Sequence, residues 1–434
     1  MMVVQIFVAV AETWFVGRLG RDALAGFALV FPFLALMLNV ANGGMGGGVA
    51  SAMARALGAG RTEDARALVL HAVVIGIAIG LGFTAFAWIV APSVYRLMGG
   101  SGNALGQALA FSNLWFAGAA LAWLSSFFSA LLRGSGDSAT PARYGLFASM
   151  VYVPLSGLLA LGIAGWSGCG IEGLGIASII ATGVALLLQA RALWRGRLGF
   201  TPSFTGVPLQ RRLFGEILKV GLMGSATSLT GNLTAVLVTG LIGSFGTAAL
   251  AGYGIGVRLE YMVAPLAFGI GTGLTTLVGV AVGAEEWRRA NRLAWIGAFV
   301  GFASVGSIGW TAALLPQTWA RIFIDDPQVI AASVAYLTRV APFYCLFGLG
   351  LTLYFASQGA GRMTTPLVAS LVRQGLVSAG GWVAVERLEL GLNGVFAVLA
   401  AGMIVYGCLI AGPLLIRPWG SRSPLRERAM PTST

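Results

Sequence analysis

The sequence is poor in charge. Only 10% of its 434 residues are Asp, Glu, Lys or Arg, against roughly 25% in a soluble domain, so no water-facing surface of ordinary composition can be assembled from it. It has one histidine and three cysteines, Cys169, Cys345 and Cys408, set far apart in or beside apolar stretches. No metal-ligand pattern or disulfide framework follows from that spacing, and the cysteines are expected to be small packing residues. The chain has no G-x-x-x-x-G-K-[ST] nucleotide loop, no H-E-x-x-H and no paired aspartates inside an apolar run, which leaves little for an enzyme to work with. We therefore expect neither catalysis, cofactor nor metal site. The N-terminus lacks the basic region and small-residue cleavage site of a signal peptide.

What the chain has is apolarity. Hydrophobic residues make up 57% of it, glycine adds another 64 positions, and the mean hydropathy is +0.85. The apolar runs are long and continuous, which suits membrane-spanning helices and not the short alternating segments of a transmembrane barrel. The fold class is an all-α polytopic membrane protein. Charged or glycine-rich breaks divide it into twelve stretches ending near Gly17, Arg55, Arg96, Leu132, Ala164, Trp194, Gly243, Val282, Leu315, Phe355, Val385 and Ile416. The longest hydrophilic connection, Arg195 to Arg212, falls near mid-chain. It defines an N-lobe over 1–195, a cytoplasmic linker over 196–212, a C-lobe over 213–416 and a cytoplasmic tail over 417–434.

The two halves repeat each other. At an offset of 226, Gly17-Arg-Leu-Gly20 meets Gly243-Ser-Phe-Gly246, and Ala23-Leu-Ala-Gly26 meets Ala249-Leu-Ala-Gly252. At an offset of 225, Gly58-Ala59 falls on Gly283-Ala284, and Arg133-Gly134-Ser-Gly136 with Thr140-Pro141 on Gln358-Gly359-Ala-Gly361 with Thr365-Pro366. With six helices per half, the second lobe starts on the same side as the first, a parallel repeat of the kind found in transporters. Eighteen basic residues lie in the even-numbered connections and the tail against five in the odd-numbered ones. The positive-inside rule then makes both termini cytoplasmic. The net charge of +12 is accounted for by this orientation, without a nucleic-acid partner.

Glu12-Thr-Trp-Phe-Val-Gly17-Arg-Leu-Gly20, Gly58-Ala-Gly-Arg61 and Leu132-Arg-Gly-Ser-Gly-Asp137-Ser-Ala-Thr-Pro141, with their second-half copies, resemble the multidrug and toxic compound extrusion (MATE) family, nearer its DinF-like branch. That resemblance implies a two-lobed secondary transporter of the MOP superfamily. It would act as a monomer in the inner (plasma) membrane, exporting amphipathic or cationic small molecules in exchange for inward H+ or Na+ by alternating access. The first helix is short for the family, with only 17 residues before Arg18, so Met1 is expected to be a late or misassigned start.

Thirteen of the fifteen acids lie in or near connections, leaving Glu12 and Glu260 as the ion-coupling candidates. Glu260 lies about 12 residues into its stretch, roughly 18 Å deep at the rise of a helix. A lone acid there costs about 2.5–3.5 kcal/mol to insert and faces a partner or a water-filled cavity. Burial disfavours the charged carboxylate, a property suited to a proton-carrying group. In the family an Asp commonly stands where this chain has Glu12 and contributes to the N-lobe cation or proton site. The fifth stretch departs from the DinF-like pattern. It reads Tyr152-Val-Pro154-Leu-Ser156, without a second carboxylate, and hard cations want many oxygens; H+ is favoured over Na+. Glu12 corresponds to Val238 in the other half and Glu260 to Leu34, so the lobes have specialised.

Plainer roles stand beside these. Glu12 could pair with Arg18, and Glu260 with a residue of a neighbouring helix; Arg258 is the wrong two residues away on the same helix. Asn39, Asn42, Asn113 and Asn232 are substrate-cavity candidates or interhelical hydrogen-bonders. Tyr253 and Trp115 could accept a cation on their ring faces, and Arg258 is the deep basic candidate. The run Gly43-Gly44-Met-Gly46-Gly-Gly48, echoed by Gly269, Gly271 and Gly273, serves close packing or a hinge. His71 is expected to pack or cap locally. The principal rival is a flippase or exporter of a lipid-linked or single metabolite substrate, which a strongly basic cavity would favour.

Overall fold

The computed structural model describes residues 2–420 apart from 164, 203 and 205, with side chains from residue 7 onward. Twelve long helices follow in order: α1 Met2–Leu19, α2 Arg21–Gly58, α3 Thr62–Ile89, α4 Gly102–Ala117 with Ala119–Gly134, α5 Ala139–Leu161, α6 Ile171–Arg197, α7 Arg211–Gly243, α8 Thr247–Gly283, α9 Trp287–Leu314, α10 Pro327–Gly359, α11 Thr364–Glu386 and α12 Gly391–Ile416. Among the described residues ten of them are long and apolar enough to cross a membrane, eleven when the bent α4 counts as one span; the shorter α1 precedes these. Of the tail expected over 417–434, residues 421–434 lie outside the described part. Its start docks on α9, where Asn291 donates to the Trp419 carbonyl (2.9 Å) and accepts its N–H (3.1 Å).

The third stretch ends earlier than expected. α3 stops at Ile89 and a separate short helix runs Ala91–Leu97, with Pro92 in its first turn. Proline lacks the N–H that a continuing helix needs but suits a helix start. After α9 the same device recurs as Pro316–Arg321.

The duplication is carried by the elements themselves. The starts and ends of α3 and α5 and the outer bounds of α4 (Thr62, Ile89, Gly102, Gly134, Ala139, Leu161) recur 225 residues later as Trp287, Leu314, Pro327, Gly359, Thr364 and Glu386. Even the interruption is shared: α4 bends by 48° at Gly118, and α10 is interrupted by a 3-10 turn over Ala341–Phe343.

The chain forms two compact units. The first takes in Met1–Leu57 and Arg61–Ser225, and the second the rest. The division falls inside α7, and glycine explains why its first half belongs to the first unit. A Cβ on Gly44 would lie 2.4 Å from Ser225 Oγ, and one on Gly48 2.6 Å from the Ile217 carbonyl. The glycine run of α2, part of it wound as a π-turn over Val40–Met45, is thus a seam along which α7 approaches backbone to backbone. In the second unit Gly271 meets the Phe355 ring, whereas Gly269 and Gly273 face open space.

His71, fully buried, completes the anchorage of α7. Its Nε2 accepts the Gln210 backbone N–H (2.8 Å), and Nδ1 sits 2.8 Å from the Ala67 carbonyl. One ring nitrogen accepts and the other donates, as a neutral imidazole can. Phe214 packs on the ring, and Arg212 ties Asp64 to Glu216.

Candidate functional site

In the first unit the site is a pair. Glu12 on α1 accepts a hydrogen bond from the hydroxyl of Tyr152 on α5. Tyr152 is buried and Glu12 half-buried. Arg18 does not serve as its partner; that guanidinium lies over the Trp14 ring at 5.0 Å.

In the second unit it is a cluster. Glu260 Oε2 on α8 accepts from the Tyr336 hydroxyl on α10 (3.0 Å), which lies 3.3 Å from the Tyr344 hydroxyl. Tyr253 meets Tyr336 edge-on with centroids 5.5 Å apart, and Phe396 closes the other side at 5.4 Å. Nearby on α11, Arg373 lies between the rings of Phe347 and Tyr406 at 5.6 and 5.7 Å. Alongside runs a ladder from α7 to α11: Thr230 bonds Ser370 (2.5 Å) and Thr234 donates to Gln374.

Set on the repeat, these two sites show how one scaffold was specialised. The Glu12–Tyr152, Thr230–Ser370 and Thr234–Gln374 bonds all join residues 140 apart, so α1/α5 and α7/α11 pair to within one residue of the register that the 226 and 225 offsets define. Tyr253 and Tyr336 correspond to Phe27 and Phe111, whose rings also pack, at 5.4 Å. Leu34, at the place of Glu260, is buried. The second unit therefore keeps the ring packing of the first and adds two hydroxyls and a carboxyl to it.

The remaining candidates fall as follows. Asn42 accepts from Ser126 Oγ (2.9 Å) and donates to the Leu38 carbonyl (3.0 Å). Asn232 donates to the Ser228 carbonyl of its own helix (3.1 Å). Asn39 and Asn113 are exposed, and the Asn113 carbonyl accepts from Trp88 (3.3 Å). Trp115 is half-buried with its ring against Phe116. Arg258 is exposed, with its guanidinium over Phe323 at 5.4 Å. Of the nominated residues, Tyr253 and Glu260 share a neighbour, Tyr336. Tyr152, Tyr336 and Tyr344 escaped sequence reasoning as partners, although comparison of Phe27 and Phe111 with their tyrosine counterparts carried the signal. Among the described residues no group of three His, Cys, Asp or Glu could hold a metal ion.

Two six-helix halves built on one repeat, each with one acid inside its spans, describe a duplicated membrane carrier. The MatE family model matches residues 1–158 and again 225–383. This chain belongs to the MatE family, whose members are membrane transporters and not enzymes. Among its relatives, the "Probable multidrug resistance protein NorM" of Thermotoga maritima is 26% identical over 98% of this chain and 92% of its own length. The "FAD transporter" of Shewanella oneidensis is 24% identical over 84% of this chain and 80% of its own. A MATE crystal structure in a bent conformation superposes with a TM-score of 0.86 at 22% identity, covering 96% of this chain and 92% of that one, which shows the shared fold.

Proposed function

We propose that this transporter is a secondary active multidrug antiporter of the plasma membrane, both termini cytoplasmic. It would export amphipathic or cationic small molecules in exchange for an inward cation, H+ or Na+, by alternating access of its two lobes. Glu12 and Glu260 are the ion-coupling groups. The observation that carries this is the paired placement of one half-buried carboxyl per unit, each hydrogen-bonded to a buried tyrosine on a neighbouring helix. A carboxyl so placed can exchange its ion only when water reaches it, and a tyrosine hydroxyl can serve either protonation state, donating to the carboxylate or accepting from the acid. The multidrug-resistance name of the Thermotoga relative supports the substrate class.

Accumulation of fluorescent cationic dyes in cells expressing the protein, with pH and Na+ gradients imposed separately, tests this reading. Gradient-dependent lowering of dye is expected. No response to either gradient for any dye would favour the second reading, export of one metabolite, which the FAD-transporter relative supports.

A further inference from the structure

The second unit also carries a polar cavity whose lining includes neither Glu260 nor its tyrosines. It lies where the short helix Pro316–Arg321, the first half of α10 and the start of α12 come together. Its volume is about 830 Å3, and its walls include Arg321, Asp325, Arg339 and Asn393 beside the apolar Ile330 and Val334. That size is ordinary for a small-molecule site. Among the described residues no ion pair engages Arg321, Asp325 or Arg339.

Arg339 stands at an unusual depth for an exposed arginine. α10 has 33 residues, about 50 Å of helix against about 30 Å of hydrocarbon. With equal overhang at both ends, its first roughly 10 Å clear the acyl chains. Arg339 comes roughly 18 Å after Pro327, inside that boundary, where an unpaired charge is costly. Its Nη1 donates to the Ala335 carbonyl one turn back (3.2 Å), so the guanidinium is turned towards the polar edge of the bilayer, as snorkelling side chains are.

The repeat shows that the scaffold does not need this charge. At the offset of 225, Arg321 corresponds to Arg96, but Asp325 corresponds to Gly100 and Arg339 to Leu114. Leu114 packs on α6, where a Cβ on Gly175 would lie 3.0 Å from its own Cβ. The first unit fills with packing a position at which the second presents a guanidinium to a cavity.

A guanidinium matches the oxygens of a phosphate with two parallel hydrogen bonds. Two of them against one carboxylate leave a single positive charge, the complement of one phosphodiester. Asp325 and Asn393 suit the hydroxyls of a polar headgroup. Ile330 and Val334, four residues apart and so on one helix face, offer a wall to methylenes. We infer that this cavity binds an anionic phospholipid with one phosphodiester, its phosphate on Arg339 and Arg321 and its first methylenes against Ile330 and Val334. The inference depends neither on the compound transported nor on the ion exchanged.

Native mass spectrometry of the full chain in detergent, titrated with phosphatidylglycerol, tests it. Wild-type protein should retain one lipid through the titration, and R339L, which installs the first-unit residue, should bind it about tenfold more weakly, the scale of one charge-assisted hydrogen bond. R387L removes an exposed positive charge outside the cavity and should bind as wild type does. Unchanged binding by R339L, or equal losses in R339L and R387L, would overturn the inference. Displacement of the lipid by equimolar glycerol phosphate would overturn it too, because the cavity would then recognise free phosphate and not a lipid. A further measurement needs no variant. Phosphatidylglycerol carrying a diazirine near the glycerol end of its acyl chain should crosslink the unmodified protein within residues 327–339, and crosslinks confined to other segments would contradict the assignment.

Discussion

Glu12 and Glu260 differ from the other acids in where their hydrogen bonds come from. Each accepts from a tyrosine on another helix, so replacing that tyrosine removes one charge-assisted bond without touching the carboxyl. Y152F and Y336F should each weaken coupled transport by the equivalent of about 1.5–3 kcal/mol, read as a slower gradient-driven rate at equal protein. Asp137 does a different job. It sits between α4 and α5, where its carboxylate accepts the Thr140 N–H (2.9 Å) and hydroxyl (2.6 Å) and faces Arg197. Partial burial pushes its carboxyl up, but the Thr140 bonds and the Arg197 charge outweigh that and hold it below the ordinary value. A depressed carboxyl contributes stability that is present above its unfolded value and lost as the pH falls through its folded one. D137A should therefore lower stability by about 1 kcal/mol at neutral pH, the scale of a lost helix cap. The difference from wild type should shrink below about pH 4, which thermal unfolding in detergent at several pH values would measure.

Helices and their breaks were largely legible in the sequence, because an apolar run interrupted by charge or glycine has few alternatives in a membrane. The early end of α3 was not. Apolarity continues through Val90 and Val94, and the break depends on a backbone donor that Pro92 lacks. The glycine run of α2 was read as packing or hinge, and the first half of α7 supplies the packing partner: Gly48 meets the Ile217 carbonyl at a distance no side chain could tolerate. G48L should force the two helices apart and destabilise the protein by roughly 1–3 kcal/mol, seen as a lower Tm in detergent. G273L, at a glycine facing open space, should leave Tm nearly unchanged. Equal losses in both would mean that glycine in these helices matters for flexibility and not for approach.

For the whole molecule, duplication is the organising fact. It was visible as residue identities at a near-constant offset and returns as helix ends, a shared helix interruption and helix pairings that agree to within one residue. The two acids stood out in the sequence because no connection could carry them to water. Their partners did not, since a tyrosine in an apolar span looks like any interfacial aromatic until the fold brings distant helices together. The difference between the lobes lies there, with Leu34, Phe27 and Phe111 in one and Glu260, Tyr253 and Tyr336 in the other. The measurement that tests the coupling assignment most directly is dye efflux from proteoliposomes under an imposed pH gradient, with wild-type, E12Q and E260Q protein reconstituted to equal density. Efflux should follow the gradient in the wild type and fall to the protein-free background in both variants; wild-type rates in both would contradict the assignment of Glu12 and Glu260.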